Sequence, residues 1–110
     1  QIMFAEKSWG SFRVLDVEDA SMTIKITLTP GHGMNYHSHE NRDEVWTVIS
    51  GTGHAILDGV RRDVKVGDIL TMPAGCRHTV FADSELKIIE VQLGPAISVE
   101  DKQKYPLPQA

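Results

Sequence analysis

The 110-residue sequence contains a single cysteine, Cys76, and no long run of apolar residues. One cysteine excludes an internal disulfide framework and is typical of a reducing compartment, so we expect a cytoplasmic protein. A membrane-spanning helix needs about 20 consecutive apolar residues, and no stretch approaches that length. We therefore expect no membrane partner.

Positive charge is not concentrated anywhere in the sequence either. The formal net charge is −4, the 11 Lys and Arg residues are spread along the chain, and Arg61-Arg62 is the only adjacent basic pair. Binding to nucleic acid needs a clustered basic face, so we expect no nucleic-acid partner. The composition, 41% hydrophobic and 24% charged, is typical of a globular protein, and the length suits one domain, residues 1–110.

What the sequence does contain is a series of short β-strand patterns. Residues 12–17 and 23–28 alternate between apolar and polar side chains with the period of two that half-buried strands show. Further strands are predicted at Glu44–Ile49, His54–Leu57, Asp63–Val66, Ile69–Met72, His78–Phe81 and Leu86–Leu93. Asp58-Gly59 is typical of a two-residue hairpin. About eight short strands at close spacing predict an all-β sandwich or barrel.

The end of the chain has a different pattern. Residues Ser98 to Lys104 are mostly polar and compatible with a helix, and Ser98 is suited to cap its N-terminus. Pro106 and Pro108 follow and prevent the helix from continuing. We therefore expect a short C-terminal helix after the last strand.

Three histidines and one glutamate form the most informative group of polar residues. His37 and His39 are two positions apart, which places both imidazoles on one face of a strand. Glu44 follows at a spacing that allows a turn onto a neighbouring strand, and His78 opens a later strand. Three imidazoles and one carboxylate suit one divalent ion such as Zn, Mn, Fe, Ni or Co. An ion with open positions beyond these four ligands can bind water or substrate and polarise a carbonyl group.

Glycines and prolines around these residues carry a family resemblance. One stretch has Gly31, His37-x-His39, Glu44 and Gly51, and a second has Gly67, Pro73-x-Gly75 and His78. Together they resemble the two motifs of the cupin superfamily. The resemblance implies a double-stranded β-helix, which is a jelly-roll-like barrel, with a metal ion inside one mouth. It also implies that the metal ligands are His37, His39, Glu44 and His78.

Four stretches narrow the resemblance to the cupin domain of type II phosphomannose (mannose-6-phosphate) isomerases. They are Ser8-Trp9-Gly10-Ser11-Phe12, Arg42-x-Glu44-x-Trp46, Pro73-Ala74-Gly75-Cys76-Arg77-His78 and Ile89-Glu90-Val91-Gln92-Leu93-Gly94. The resemblance implies an aldose–ketose isomerisation through an enediol. That chemistry needs a metal ion or another electrophile on the substrate oxygens, a base that moves a proton, and basic groups that hold a phosphate.

Arg42 and Trp46 are the candidate substrate-pocket residues in this pattern. For Arg42, contact with a substrate anion and a salt bridge to Glu40 or Asp43 are equally weighted alternatives. Trp46 is also suited to a place in the core. No residue is assigned as the general base.

The chain departs from the isomerase pattern at several positions. His37 stands where those enzymes commonly have Gln, and Glu40 and Asn41 stand where His is usual. The terminal Gly-Arg of the family is missing. Arg42, Arg77 and Lys87 are the substitutes that can be named for a phosphate-binding Arg.

We therefore expect a metal-binding small cupin that acts on, or binds, a sugar or sugar phosphate. Two alternatives stay open. An Fe- or Mn-dependent dioxygenase-type cupin is supported by the metal shell alone, and a non-catalytic sugar-binding module is favoured by the altered pocket. A barrel this small buries a modest core and has an N-terminal edge strand that a second chain can pair with, so we expect a homodimer.

Overall fold

The structure is a computed structural model that describes residues 3–98 and 100–108. The regular elements in these residues are eleven β-strands: β1 Phe4–Lys7, β2 Gly10–Glu18, β3 Ser21–Leu28, β4 Tyr36–Ser38, β5 Asp43–Ser50, β6 Thr52–Leu57, β7 Val60–Lys65, β8 Ile69–Met72, β9 His78–Ala82, β10 Leu86–Leu93 and β11 Gln103–Tyr105. Within the same residues, no helix has the length and apolar character that crossing a membrane requires.

The strands form two antiparallel sheets. One has the order β1-β2-β3-β10-β5-β8, and the other has the order β11-β4-β9-β6-β7. Strands that are distant in the chain are neighbours in the sheets, since β10 lies between β3 and β5 and β9 lies between β4 and β6. From β4 onwards the chain passes repeatedly from one sheet to the other, which is the winding of a double-stranded β-helix. The all-β class and the jelly-roll-like barrel are therefore confirmed.

The hydrophobic core combines side chains from both sheets. Ile26 of β3, Trp46 of β5 and Ile88 of β10 pack with Ala55 of β6 and Val80 of β9 in one buried cluster. Burying a large apolar side chain stabilises a fold by about 2 kcal/mol, so these alternate inward positions hold the two sheets together.

Strand β10 contributes both to the core and to a polar region beside it. Every second side chain of the strand is buried, and its inward face changes from apolar at Ile88 to polar at Glu90 and Gln92. The register with β5 places Glu90 opposite Trp46 and Gln92 opposite Glu44. Polar side chains from two neighbouring strands therefore collect inside the barrel next to the apolar core.

The hairpin at Asp58-Gly59 forms as the sequence predicts. Asp58 and Gly59 have φ angles of 47° and 84°, and Leu57 pairs with Val60 across the turn. Positive φ at both central positions is the requirement of a type I′ turn, whose twist matches the twist of the flanking strands. The sequence therefore determines this connection locally.

The expected C-terminal helix is wrong. Gln103–Tyr105 form strand β11, which pairs with β4. Ser98 Oγ accepts the Glu100 N–H at 3.2 Å, but this bond closes a local turn and no helix follows. So short a segment is not a stable helix by itself, whereas the edge of β4 offers it a ladder of backbone hydrogen bonds. Val99 of the predicted helix lies outside the described residues.

Candidate metal centre

The four predicted metal ligands come together inside the barrel. His37 lies on β4 and His39 directly after it, Glu44 lies on β5, and His78 begins β9 directly opposite His37. All four side chains are buried, the most exposed at 6% and the least at 1%. The ligand atoms that the three histidines offer lie within 4.8 Å of one another. The geometry therefore brings together the residues that the motif spacing selected.

Backbone carbonyls set the tautomer of each histidine. Nδ1 of His37 lies 2.6 Å from the Asn35 oxygen, and Nδ1 of His39 lies 2.6 Å from the Asp101 oxygen. Nδ1 of His78 lies 3.0 Å from the oxygen of Cys76. A carbonyl oxygen only accepts hydrogen bonds, so each Nδ1 carries the proton and each neutral ring keeps a lone pair on Nε2. Metal-binding histidines in proteins are oriented in this way.

The electrostatics favour the neutral forms of His37 and His39 and the ionised form of Glu44. Burial lowers the pKa of His37 to about 3, and His78 lowers it further in the same direction. Burial is also the main cause of the lowered pKa of His39. Burial opposes ionisation of Glu44, but the facing imidazole of His78, followed by His39 and Arg42, lowers its pKa to about 2. Neutral imidazoles and an ionised carboxylate are the forms that bind metal ions.

The residues present fit a divalent metal ion. Glu44 Oε2 lies 3.1 Å from His39 Nε2, and Glu44 Oε1 lies 3.4 Å from His78 Nε2. The Nε2 atoms of two imidazoles thus face the Glu44 carboxylate, and His78 Nε2 is buried with no hydrogen-bond partner among the described residues. An unpaired buried polar atom is costly, and a cation bound by these atoms removes the cost.

Arg42 lies inside the site, and its predicted alternative salt bridge is not formed. Its Nε donates to Glu44 Oε2 at 2.9 Å, and one of its terminal nitrogens lies 3.2 Å from His39 Nε2. The other terminal nitrogen donates to the backbone oxygen of Ser98 at 3.1 Å. The ion-pair partner of Arg42 is therefore Glu44, and not Glu40 or Asp43.

Trp46 belongs to both the core and the site. It is 1% exposed, its Nε1 donates to Glu44 Oε1 at 3.1 Å, and its ring meets the His78 ring edge-on at 5.5 Å. The indole thereby holds the carboxylate of Glu44 in place from the apolar side.

A cavity of about 490 Å³ opens beside this cluster. This volume is within the range of small-molecule sites. Arg42 and Trp46, the candidate substrate-pocket residues, both line it, together with His37, His39 and Glu44. The cavity gives a small molecule access to the candidate ligands.

Two buried polar residues in the cavity were not assigned from the sequence. Glu90 and Gln92 line the cavity, and Gln92 Nε2 donates to Glu90 Oε2 at 2.6 Å. Burial raises the pKa of Glu90 to about 8, and the charge of Glu44 adds to this rise. Alternation along β10 places the two residues on one face, but only the strand register shows that this face is the cavity wall.

Of the basic residues named on the sequence, Arg42 lines the cavity and two others do not. Arg77 stacks over the ring of Tyr105 at 3.8 Å, and Lys87 lies 3.7 Å from a carboxylate oxygen of Glu85. Neither residue lines the cavity, whereas Lys7, Lys102 and Lys104 do. Arg77 and Lys87 therefore lie away from the cavity, and Arg42 is the substitute named on the sequence that lines it.

Two sheets wound into one barrel, with a buried cluster of histidines and a carboxylate beside a cavity, define the class of double-stranded β-helix proteins. The family described as "Cupin domain" matches residues 24–92, so the chain belongs to the cupin family. The motif resemblance noted in the sequence is thereby confirmed.

The relatives of known name are larger proteins. Alginate biosynthesis protein AlgA of Pseudomonas putida is 27% identical over 101 residues, which cover 90% of this chain and 21% of that protein. A mannose-1-phosphate guanylyltransferase of Klebsiella pneumoniae is 24% identical over 97 residues, which cover 86% of this chain and 21% of that protein. The chain therefore spans about a fifth of the length of these relatives.

A solved structure agrees with the fold. An uncharacterised protein of Klebsiella pneumoniae with a double-stranded β-helix domain superimposes with a TM-score of 0.75 at 21% identity. The match covers 86% of this chain and 82% of that one. At this identity the similarity shows the shared architecture.

Proposed function

We propose that the chain binds one divalent metal ion and acts on a small sugar or sugar phosphate, as phosphomannose isomerases do. The proposed ligands are His37, His39, Glu44 and His78. The observation that carries this proposal is the set of three buried imidazoles whose Nδ1 atoms all donate to backbone carbonyls, beside an ionised glutamate at a cavity wall.

The relatives favour a sugar phosphate over other small molecules. Their names concern mannose 1-phosphate and alginate biosynthesis, and the similarity extends over most of this chain. Because the chain spans about a fifth of their length, the activity of the whole relatives is not transferred, only the substrate class.

An aldose–ketose isomerisation transfers a proton from the carbon beside the carbonyl to the carbonyl carbon. A bound divalent ion supplies an electrophile for the substrate carbonyl and hydroxyl oxygens. Glu90 is the proposed base, because it is a buried carboxyl group at the cavity wall with a pKa raised to about 8. In its ionised form Glu90 accepts the proton from one carbon and returns it to the other, while the proton of the neighbouring hydroxyl passes to the carbonyl oxygen. Gln92 holds the carboxylate in one orientation.

The test is a coupled assay with mannose 6-phosphate, with and without added Mn, Zn, Fe, Co or Ni. We expect turnover that disappears when a chelator is added and returns when the metal is restored. The E90Q variant should lose turnover but still bind the metal ion. No turnover with any of these metals would remove the isomerase proposal. Oxygen consumption would then favour the dioxygenase-type alternative, and sugar binding without turnover would favour the binding module.

We also propose that residues 1–110 form a single domain, that the protein is cytoplasmic and that it is a homodimer. Side chains of both sheets share one core, which supports a single folding unit. The only cysteine, Cys76, is a free thiol, and burial raises its pKa to about 11. A protonated, partly buried thiol suits a structural role in a reducing compartment.

A further inference from the structure

Three lysines from opposite ends of the chain meet at the cavity. Lys7 ends β1, which is an edge strand of the larger sheet. Lys102 immediately precedes β11, and Lys104 lies on it, at an edge of the smaller sheet. All three line the cavity that contains the candidate metal ligands. Only the docking of both terminal strands produces this arrangement.

The three ammonium groups have no salt-bridge partner in the part of the chain that the structure describes. None of them forms an ion pair or a hydrogen bond there, and Lys7 lies over the Phe12 ring at 5.9 Å. Burial lowers the pKa of Lys102, the charges of Lys104, Lys7 and Arg42 lower it further, and the charge of Glu44 raises it. Like charges held together without an anion cost free energy, and sites for charged ligands are where such clusters occur.

The carboxylates that line the cavity form no salt bridge with these lysines. Among the described lining residues the acidic ones are Glu44 and Glu90. Glu44 is already paired with Arg42 and faces the imidazoles, and Glu90, with its pKa raised to about 8, is mostly uncharged at neutral pH. The cavity is therefore positive in a chain whose net charge is −4, and a concave site of one charge attracts and concentrates ligands of the opposite charge.

We infer that Lys7, Lys102 and Lys104 form a subsite for the phosphate group of a phosphomonoester, whose other end reaches the candidate metal ligands. This inference rests on the proposed function for the identity of the rest of the molecule. A phosphate monoester carries up to two negative charges and three terminal oxygens, which matches three separate ammonium donors. A neutral sugar would leave all three charges uncompensated, and a carboxylate would neutralise only one.

The experiment is calorimetric titration of metal-loaded protein with mannose 6-phosphate, mannose and gluconate, which present a phosphate, no charge and a carboxylate. K7M, K102M and K104M are compared with the matched control K87M, whose lysine lies outside the cavity. Loss of one charge-assisted hydrogen bond should raise the Kd of mannose 6-phosphate about tenfold in each cavity variant. Binding of mannose should not change, and K87M should behave as the wild type. The salt dependence of the Kd should also become weaker in the cavity variants.

Three results would overturn the subsite. The first is equal affinity of the protein for mannose and mannose 6-phosphate, and the second is an equal loss of mannose 6-phosphate affinity in K87M and K102M. The third is that mannose 6-phosphate binds with a Kd above about 1 mM. Thermal unfolding of each variant identifies any loss that comes from misfolding, and K7M then tests the subsite independently of the C-terminal strand. Phosphate-selective binding without turnover would keep the subsite and reject the isomerase. Equal turnover of mannose and mannose 6-phosphate would keep the isomerase proposal and reject the phosphate subsite.

Discussion

Nδ1 of His39 donates a 2.6 Å hydrogen bond to the backbone oxygen of Asp101, a residue 62 positions later in the chain. The carboxylate of Asp101 accepts the N–H groups of Glu40 and Asn41 at 2.9 and 2.8 Å. The segment before β11 is therefore bonded to a candidate ligand and to the two residues that follow it. A distant part of the chain sets the orientation of the imidazole.

Removal of the Asp101 carboxylate should weaken metal binding without removing a ligand. In D101A the backbone oxygen remains, but the segment that positions it loses two hydrogen bonds to Glu40 and Asn41. Loss of an outer-shell partner typically costs 10–100-fold in metal affinity, and we expect a loss of about tenfold. Competition with a chromophoric zinc chelator measures it. D63A, which removes an exposed carboxylate on β7, is the control, and equal affinity of D101A and wild type would show that the carboxylate does not orient His39.

Substitution of His78 tests the ligand set directly. H78Q keeps a polar side chain of similar size but removes the unpartnered Nε2, so metal affinity should fall by at least about a hundredfold, more than for an outer-shell change. Elemental analysis of the purified variant and chelator competition measure the loss. H32Q, in an exposed histidine outside the cluster, should keep one metal ion per chain. If H78Q retained its metal, the proposed site would be wrong.

Arg42 should compete with the metal ion. Its guanidinium donates to Glu44 Oε2 and lies 3.2 Å from His39 Nε2, so it uses lone pairs that a metal ion needs. R42M should therefore bind zinc more tightly, by about tenfold for one charge-assisted interaction. R61M, on the exposed face of β7, should leave the affinity unchanged. Weaker zinc binding in R42M would mean instead that Arg42 is needed to hold Glu44 in position.

Glu90 should make the metal-free protein less stable as the pH rises. Its pKa is raised from 4.5 to about 8 in the folded state, mainly by burial. Between pH 4.5 and about 8 the folded state keeps a proton on Glu90 that the unfolded state has released. The stability that comes from this proton is therefore fully present below pH 4.5 and is lost as the pH rises to about 8. A pKa that is higher by one in the folded state than in the unfolded state corresponds to about 1.4 kcal/mol of stability, so the whole contribution is on the order of a few kcal/mol.

E90Q cannot ionise and should lack this pH dependence. Urea unfolding at several pH values should show that the free energy of unfolding of E90Q increases relative to that of the wild type as the pH rises towards about 8. E85Q changes an exposed glutamate and should follow the wild type. Parallel curves for E90Q and the wild type would show that Glu90 titrates normally in the folded protein.

The edge of β1 provides a test of dimerisation. Strand β1 pairs with β2 on one side and is an end strand of its sheet, so its other edge is available to a second chain. Sedimentation at micromolar concentration should give the mass of a dimer. Amide exchange in residues 4–7 should slow as the protein concentration increases. A clean monomer in this range would contradict the homodimer.

Local patterns account for most of the barrel. Alternation predicted most of the long strands, including β2, β3, β5 and β10, and Asp58-Gly59 predicted its hairpin. The terminal strands β1 and β11 were not predicted, because their stability comes from pairing with sheet edges that a local pattern does not reveal. The pairing of β11 with β4 is also the reason that the segment predicted as a C-terminal helix ends in a strand.

The sequence predicted the candidate ligands: the spacing of His37 and His39 places both on one face of a strand, and the resemblance to the cupin motifs implied Glu44 and His78 as well. Tertiary structure decided the rest of the site. The register of β10 places the side chain of Glu90 at the cavity wall, and the pairing of the terminal strands places Lys7 and Lys104 there as well. Register and sheet edges depend on contacts between distant residues, so no local spacing encodes them.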